Sequence, residues 1–483
     1  MPISNHSEQI PARLTSGRSP SAYLATIVWC LTAPCLTKPW LPTGFGRVAG
    51  LCFASASWIC AGELLADEHP TAETLSSQSQ RCRKLLETSV VDFYLPAAVD
   101  REYGGYFENI DNTGNFVGND SKFLTLQARQ LWFFSTLAQA GIRRDESLAA
   151  ADHGYQFLQQ YFLDNEHGGY FSKVHDDGRV LDDRKHVYLN AFALYALARY
   201  YQATQRPDVL KAAQQQFQIL ESKAYDRQHG GYDEFFHRDW RLIDDPAEAG
   251  YVGAVQTKTY NSHLHILEAL AELYRVWPDP LVRHRLAELI TVNTTTVKHS
   301  QHPCNIDGWH RDWRVIESPQ NLRASYGHDV ECVWLTLDAA RAIERPDSLL
   351  RGWAQATVDY SLRYGYDRQH GGFFYTGPVG EPAEDRRKEW WVQAEAIVSM
   401  LEMYRLTGDP EYYRAFAETL DFIDRHQVAP GGSWWATLSA EGNVPPGMSR
   451  TSMWQGGYHN GRGLLVSAQL LDDLQRQAQE RRR

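Results

Sequence analysis

Apolar residues recur at three- and four-residue spacing through most of the chain, in runs of about fifteen to twenty residues. This spacing places the apolar side chains on one face of an α-helix. Proline lies at the boundaries of several runs, as at Arg206-Pro207 and Trp277-Pro278. The pattern predicts twelve helices, near residues 80–97, 122–140, 146–163, 187–203, 207–223, 260–276, 281–299, 327–343, 347–364, 388–406, 410–426 and 456–475.

A Gly-Gly-aromatic signature recurs about every sixty residues between the helical runs. Glycine permits the left-handed backbone of a tight turn, and the aromatic residue can pack the turn onto a helix. The copies are Gly104-Gly105-Tyr106, Gly168-Gly169-Tyr170, Gly230-Gly231-Tyr232, Gly371-Gly372-Phe373 and, more loosely, Gly431-Gly432-Ser433-Trp434, with a weaker candidate at Asp307-Gly308-Trp309. The chain is therefore predicted to contain six copies of one supersecondary unit.

Each unit combines two helices with one glycine hairpin. Six such pairs that close on themselves form an all-α (α/α)6 barrel of twelve helices, six inside and six outside, with short β-hairpins at one end. An open solenoid of the same pairs is the alternative. In the barrel, the hairpins and the N-termini of the even-numbered helices lie at the same end. We assign residues 76–478 to this catalytic domain.

Residues 1–75 differ in composition and are predicted to be an export signal and a disordered leader. Arg47 precedes the apolar run VAGLCFASASWICAG, with cleavage expected near residues 61–68. Neither this run nor the earlier run SAYLATIVWCLTAPCL reaches the roughly 20 residues that a spanning helix needs. Export is therefore favoured over a membrane anchor, and the mature chain is expected to have no stable membrane span. Export predicts a periplasmic location, and a true start downstream of Met1 a cytoplasmic one.

Composition narrows the classes of partner. The net charge of −11 offers no basic face, so nucleic-acid binding is not expected. The cysteines after the leader are Cys82, Cys304 and Cys332, too few for a disulfide framework. The 15 tryptophans and 25 tyrosines exceed what a helical core requires. Such residues often line carbohydrate sites, although packing between helices accounts for most of them.

Unusual polar and aromatic residues stand near the start of the even-numbered helices, where a barrel would bring them together. Asn261 and His265 are four residues apart, and His328 and Glu331 three apart, so each pair shares a helix face. Each residue alone has an ordinary structural explanation, but coincidence at equivalent repeat positions favours a site. The candidates are Arg129, Tyr188, Asn261, His265, His328, Glu331, Trp334, Trp391, Glu395 and His459.

These residue types suit one kind of chemistry. Two imidazoles on opposite walls can remove a proton from one face of a carbon and return one to the other. An arginine can stabilise the enolate oxygen that forms beside a deprotonated carbon. A glutamate three residues from a histidine can set its tautomer, and indoles stack on sugar rings. The set indicates proton abstraction at C2 of a reducing sugar by way of an enediolate.

Six segments between about residues 80 and 475 resemble the N-acylglucosamine 2-epimerase superfamily, and within it most closely the cellobiose 2-epimerases. The resemblance implies an (α/α)6 barrel, monomeric or loosely associated as a weak dimer, that needs neither cofactor nor metal and inverts C2 of a reducing-end sugar. The segments are LQARQLWFFS, KHVYLNAFALYALA, NSHLHILEA, YGHDVECVWL, KEWWVQAEA and YHNGRG.

The same resemblance implies a role for each candidate. His328 and His459 would be the acid–base pair, and Arg129 would stabilise the enediolate. Asn261 and His265 would assist ring opening and hold the open chain. The residues implied to tune His328, contact the sugar or orient a catalytic histidine are Glu331, Tyr188, Trp334, Trp391 and Glu395.

We therefore expect a 2-epimerase that acts on the reducing-end aldose of a β-1,4-linked disaccharide of the cellobiose or mannobiose type. The segments NSHLH and YHN resemble the disaccharide-acting branch of the superfamily. By contrast, Gln127 before Ala128-Arg129 resembles the monosaccharide-acting branch, which leaves substrate size open.

Several alternatives remain at this level. An aldose–ketose isomerase acting on mannose would return the proton to C1 with the same two histidines. An inverting glycoside hydrolase would use Glu331 and Glu395 as its carboxylate pair. A metal-dependent isomerase would need His263, His265 and His328 as ligands, but His-x-His on a helix directs its two rings to different faces. A sugar-binding protein would need no paired histidines.

Overall fold

The computed structural model describes residues 69–111, 113–118, 120–248 and 250–481. Twelve helices of twelve or more residues lie within these residues, which confirms the predicted number. They are α1 (Ala72–Leu85), α2 (Leu124–Gln139), α3 (Arg144–Phe157), α4 (Val187–Thr204), α5 (Pro207–Lys223), α6 (Tyr260–Val276), α7 (Pro280–Thr291), α8 (Tyr326–Ala342), α9 (Arg351–Tyr364), α10 (Trp390–Thr407), α11 (Pro410–Phe422) and α12 (Tyr458–Glu480).

The even-numbered helices form a closed inner ring. Each packs against the next in sequence, and α12 returns to contact α2, so the arrangement is the predicted barrel and not an open solenoid. The odd-numbered helices pack outside: α1 lies against α12, and every other odd helix lies against the inner helix that precedes it. The inner helices are buried nearly all round, which explains why their apolar residues are not confined to one stripe.

Local sequence sets the helix ends. Pro207, Pro280 and Pro410 each stand at the first helical position, where the missing N–H costs nothing. The side chains of Asp279 and Asp409 cap two of these helices by accepting backbone N–H bonds. The predicted first helix is misplaced at its start, because α1 begins at Ala72 and not near residue 80.

Short antiparallel strand pairs join successive units at the N-terminal end of the inner helices. The strand before one inner helix pairs with a strand that precedes the next, as β3 does with β4 and β6 with β7. The strands are β1 (Asn109–Ile110), β2 (Phe116–Val117), β3 (Lys122–Phe123), β4 (Lys173–Val174), β5 (Val180–Asp182), β6 (Lys185–His186), β7 (Phe235–Phe236), β8 (Thr257–Thr259), β9 (Gly308–His310), β10 (Arg323–Ser325), β11 (Thr376–Pro378), β12 (Lys388–Glu389) and β13 (Thr437–Leu438).

A buried lysine–aspartate pair anchors four of the glycine turns. The aspartate begins the turn and accepts its backbone N–H groups, while the lysine lies in the strand before an inner helix. In the first unit, Lys122 Nζ lies 2.6 Å from Asp100 Oδ2 and also binds the Gly104 carbonyl. Both charges are removed from water, so neither can lose its partner without a large cost. The other pairs are Lys185–Asp164, Lys258–Asp226 and Lys388–Asp367.

The side chain of the fourth residue of an inner helix points away from the barrel axis and holds the glycine turn by a hydrogen bond. Gln127 and Gln393 accept the backbone N–H of the turn aromatic through their side-chain oxygens, at 2.8 Å in both cases. Asn190 and His263 do the same for Tyr170 and Tyr232. Gln127 therefore holds a turn, and it is not among the residues that line the cavity described below.

The fourth unit departs from the predicted glycine signature. Its turn runs over residues 298–305, where Lys298 bridges to Asn305 and Asp329 accepts the Asn305 N–H. The weaker candidate Asp307-Gly308-Trp309 lies beyond this turn and contributes to strand β9, so its assignment as the turn is wrong. In this unit the fourth residue of the inner helix still bonds the turn, although the turn lacks the paired glycines.

Most of the predicted leader lies outside the described residues. The boundary placed between residues 75 and 76 falls within α1, and α12 continues to Glu480, past residue 478. Among the described residues, no helix has both the length and the apolar character needed to cross a bilayer.

His263, at the fourth position of α6, makes the stability of the fold depend on pH. Burial, with a smaller contribution from the Lys258 charge, lowers the pKa of His263 to about 3. The neutral ring accepts the Tyr232 N–H at Nε2. The unfolded chain binds this proton below about pH 6.5, so the native state loses stability as pH falls. The variant His263→Gln carries the residue that two other units use at this position. Between pH 7.5 and pH 5, we expect its free energy of unfolding in urea to fall by about 2 kcal/mol less than that of the wild type.

His284→Gln on the exposed face of α7 is the matched control and is expected to keep the wild-type pH dependence. Parallel pH curves for His263→Gln and the wild type would contradict a neutral, buried His263.

Candidate active site

A cavity of about 430 Å³ opens at the hairpin end of the barrel, above the N-termini of the inner helices. It is lined by the second residue of α4, α6, α10 and α12 and by the sixth residue of α2, α6 and α8, positions that lie on the same helix face. His328, the third residue of α8, also lines it. Eight of the ten predicted residues meet here: Arg129, Tyr188, Asn261, His265, His328, Glu331, Trp391 and His459.

His328 and His459 enter this cavity from different helices and flank the same indole. The ring centroids of His328 and Trp391 lie 4.7 Å apart, and those of His459 and Trp391 lie 6.0 Å apart. Burial and repulsion from His265 and His459 lower the pKa of His328 to about 3. Because a positive charge on one imidazole disfavours a positive charge on the other, at most one of the two rings is protonated to the imidazolium at a time.

Glu395 orients His459. Its Oε1 atom lies 2.6 Å from His459 Nδ1, and its Oε2 atom accepts from Trp334 Nε1 at 2.8 Å. A carboxylate on Nδ1 fixes the proton on that nitrogen and leaves Nε2 as a base toward the cavity. Burial nevertheless lowers the pKa of His459 to about 3, and the Glu395 charge opposes this effect without cancelling it.

His265 is held in the same manner by a glutamate on its own helix. Its Nδ1 atom lies 2.6 Å from Glu268 Oε1, one helical turn further along α6. Its ring packs edge-on against Tyr188 at a centroid distance of 5.0 Å. Burial lowers the pKa of His265, so the ring is neutral and presents Nε2 to the cavity.

Arg129 is fixed in the opposite wall. Its Nη1 donates to the Trp454 carbonyl at 2.8 Å, and its Nη2 donates to the Tyr188 hydroxyl at 2.9 Å. The guanidinium also lies over the Phe192 and Tyr458 rings. No described carboxylate forms a salt bridge with Arg129, so its positive charge is left for a ligand.

Glu331 does not occupy the place that its sequence spacing implied. Although it stands three residues after His328, it accepts from Arg462 Nη2 at 2.9 Å, and its carboxylate lies 3.9 Å from His459 Nδ1. The buried guanidinium draws the side chain toward the barrel axis and away from the His328 ring. Burial and repulsion from Glu395 raise the pKa of Glu331 well above its ordinary value, so both favour the neutral carboxyl group at this position.

Trp334 also differs from its predicted place. It stands one helical turn beyond Glu331 and lines a second cavity, of about 480 Å³, below the histidines. Its ring lies under the Arg462 guanidinium, and its Nε1 supports Glu395. Trp334 therefore does not line the sugar-sized cavity, and its contact with the site passes through Glu395. Glu395 likewise lies behind His459 and not on the cavity wall.

Sequence reasoning missed two kinds of residue. Trp454 and Tyr375 line the mouth of the cavity from loops, where no helical periodicity marks them. Glu268 and Arg462 lie behind the histidines, although the spacing of His265 and Glu268 on one helix was a usable signal for one of them. Asn261, which was predicted, has a buried side-chain oxygen with no described hydrogen-bond partner, so it can accept a bond from a ligand.

The geometry weighs against two of the alternatives. His263 points to the Tyr232 turn, away from His265 and His328, so these three rings cannot bind one metal ion. Donor atoms of Glu331, Glu395 and His459 lie within 4.8 Å of one another, but the Arg462 guanidinium already bonds both carboxylates. An inverting hydrolase needs carboxyl groups roughly 6.5–9.5 Å apart with water between them. Glu331 and Glu395 are too close for that role.

Comparison with known proteins places this site in a family. The profile of the N-acylglucosamine 2-epimerase (GlcNAc 2-epimerase) family matches residues 105–459. The chain is 31% identical to the cellobiose 2-epimerase of Bacteroides fragilis over 391 residues, which are 79% of this chain and 96% of that protein. It is 25% identical to the D-mannose isomerase of Marinomonas mediterranea, over 76% of this chain and 91% of that protein.

The solved structure of cellobiose 2-epimerase from Spirochaeta thermophila matches with a TM-score of 0.74 and 31% identity, covering 83% of this chain and 98% of that one. The likeness in sequence and in fold extends over about four fifths of this chain. The chain belongs to the N-acylglucosamine 2-epimerase family and is a sugar 2-epimerase.

Proposed function

We propose that this enzyme inverts C2 at the reducing end of a β-1,4-linked disaccharide of the cellobiose or mannobiose type, by proton transfer through a cis-enediolate. The observation that carries the proposal is the pair of imidazoles, His328 and His459, which come from different inner helices and line one cavity together with Arg129. The relatives named cellobiose 2-epimerase support the substrate class.

The proton transfer balances with two histidines alone. One imidazole removes the C2 proton, and the electron pair of that C–H bond moves into the C1 carbonyl to form the enediolate. The other imidazole must hold one extra proton, which burial disfavours in the free site and the Glu395 carboxylate favours at His459, and it gives that proton to the opposite face of C2. Arg129 stabilises the charge on the enediolate oxygen, and Glu395 stabilises the imidazolium at His459. Each turnover exchanges the protonation states of His328 and His459.

The sugar must open before C2 becomes acidic. His265 Nε2 is a base within the cavity, since Nδ1 is bound to Glu268. It can take the C1 hydroxyl proton as the C1–O5 bond breaks and return that proton to O5, the leaving oxygen. The free oxygen of Asn261, on the same face of α6, can accept a sugar hydroxyl. Together they hold the open chain with C2 between the two acid–base histidines.

The mouth of the cavity supports a second sugar ring. Trp391, Tyr375 and Trp454 line it, and indole or phenol faces stack on pyranose rings. Gln127, the residue whose segment resembled the monosaccharide branch, is turned away toward Tyr106 and leaves the cavity width unchanged. We infer from both points that the site accepts a disaccharide.

Isomerisation of mannose to a ketose is the second candidate, and the relative named D-mannose isomerase favours it. In that reaction the same enediolate receives its proton at C1. Product analysis by NMR in D2O on cellobiose, mannobiose, mannose and N-acetylglucosamine tests both candidates. We expect deuterium at C2 of an epimerised disaccharide; a ketose as the main product would overturn epimerisation.

We expect His328→Ala and His459→Ala each to lower turnover by about 10²- to 10⁴-fold, because each removes one general acid–base group. Circular dichroism checks that the chain stays folded. His284→Ala, on the exposed face of α7, should retain wild-type turnover. Full activity in either active-site variant would remove that histidine from the mechanism.

Export and assembly complete the proposal. We propose that residues up to about 61–68 form a cleaved export signal, that the enzyme acts in the periplasm, and that it is a monomer or a weak dimer. N-terminal sequencing of the native protein and light scattering test these points. An intact N-terminus in a cytoplasmic fraction would contradict export.

A further inference from the structure

Arg462 is a fully buried cation on the barrel axis, 2% exposed, and three inner helices supply it with carboxylates. Its Nη1 donates to Glu268 Oε2 at 2.5 Å. Its Nη2 donates to Glu331 Oε1 at 2.9 Å and to Glu395 Oε1 at 2.8 Å. The Tyr458 hydroxyl bonds both Arg462 and Glu268. A single guanidinium thus joins α6, α8, α10 and α12.

Two of these carboxylates are the ones that hold the histidines. Glu395 uses its Oε1 atom for both Arg462 and His459, and Glu268 divides its two oxygens between Arg462 and His265. Each histidine is therefore separated from the guanidinium by one carboxylate. A displacement of Arg462 would release both carboxylates at once and with them the orientation of two cavity rings.

The charges on these groups depend on the same guanidinium. Burial opposes a charge on Glu268, but Arg462 and the bond from His265 outweigh it and lower the pKa of Glu268 to about 2. Burial also opposes a charge on Glu395, and again Arg462 and His459 outweigh it and lower its pKa. The pKa of Glu331 is raised instead, by burial and by repulsion from Glu395, so the ionised carboxylates favoured beside Arg462 are Glu268 and Glu395. Without Arg462, two adjacent buried carboxylates would repel each other and take up protons.

We propose that Arg462 is a positioning residue for both the ring-opening and the proton-transfer histidines, acting through Glu268 and Glu395. The inference rests on the proposed function of this cavity. Arg462 itself does not line the sugar cavity, so it acts on the reaction without touching the substrate. Its loss should lower kcat and leave KM nearly unchanged, because the groups that contact the sugar remain in the wall.

The second cavity makes a chemical test possible. Arg462 lines this cavity from above, and Gln139, Gln202 and Gln469 lie among its other walls. Arg462→Ala would extend the cavity upward to the freed carboxylates. Guanidinium ion from solvent could then occupy the vacated place between Glu268 and Glu395.

We expect Arg462→Ala to lower kcat for C2 epimerisation by about 10- to 100-fold, with KM within about twofold of the wild type. Millimolar guanidinium chloride should restore part of the lost kcat, whereas sodium chloride at equal ionic strength should not. The pH profile of kcat should also shift, since Glu268 and Glu395 no longer stay ionised. Arg462→Lys keeps the positive charge but loses the two parallel hydrogen bonds of the guanidinium, so its kcat should lie between those of the wild type and Arg462→Ala.

The matched control is Arg341→Ala, which removes another arginine that joins two inner helices through paired bonds to Glu402. It contacts neither histidine-bound glutamate and should lower the melting temperature without changing the pH profile of kcat. The contrary outcome is that the Arg462 variants differ from the wild type only by a lower melting temperature, with the same kcat, pH profile of kcat and response to guanidinium as Arg341→Ala. In that case Arg462 has only a structural role and the inference is wrong. If Arg462→Ala does not fold, the Arg462→Lys pH profile and kcat/KM split decide the question.

Failure of the inference and failure of the proposed function give different results. A wild-type enzyme that incorporates no deuterium at C2 of any of the four sugars would overturn the function. A wild-type enzyme that does so, beside Arg462 variants of unchanged kcat and pH profile, would overturn only the positioning role.

Discussion

A polar side chain buried on an inner helix of this barrel must find a partner in a neighbouring element, unless it faces the open cavity, or the fold loses stability. Helical geometry then sorts the polar positions. The fourth residue points back to the glycine turn, as Gln127 and His263 do. The second and sixth residues point into the cavity, as Asn261 and His265 do. The need of buried polar groups for partners is met by the turn at the fourth position and by the cavity at the others. It therefore accounts both for the residues that hold the glycine turns and for those that form the site.

The site separates groups that meet a ligand from groups that supply charge. The walls of the cavity carry neutral imidazoles and an arginine without a described carboxylate partner. The layer below carries the carboxylates, which Arg462 neutralises. Because these groups are buried, their interactions are stronger than they would be in water, and a mismatch would cost more. The histidines gain fixed tautomers from it while remaining accessible to a sugar from above.

At the end of the barrel away from the hairpins, ion pairs join successive inner helices around the second cavity. Arg199 of α4 binds Glu272 of α6, Arg275 of α6 binds Asp338 of α8, and Arg341 of α8 binds a glutamate of α10. At the hairpin end, strand pairs and the buried lysine–aspartate pairs have the same function. The inner ring is thus fixed at both ends, which holds the cavity walls in register for proton transfer over short distances.

The sequence by itself determined the twelve helices, the repeat and the residue types of the site, because helical spacing and glycine turns are local properties. It also placed eight of the ten candidates in one cavity, since equivalent positions in a closed repeat face the same axis. Only the tertiary structure decided the partners. Glu331 turned to Arg462 and not to His328, and Trp334 went to the lower cavity. Those choices depend on a buried charge 131 residues away in sequence, and no local pattern encodes it.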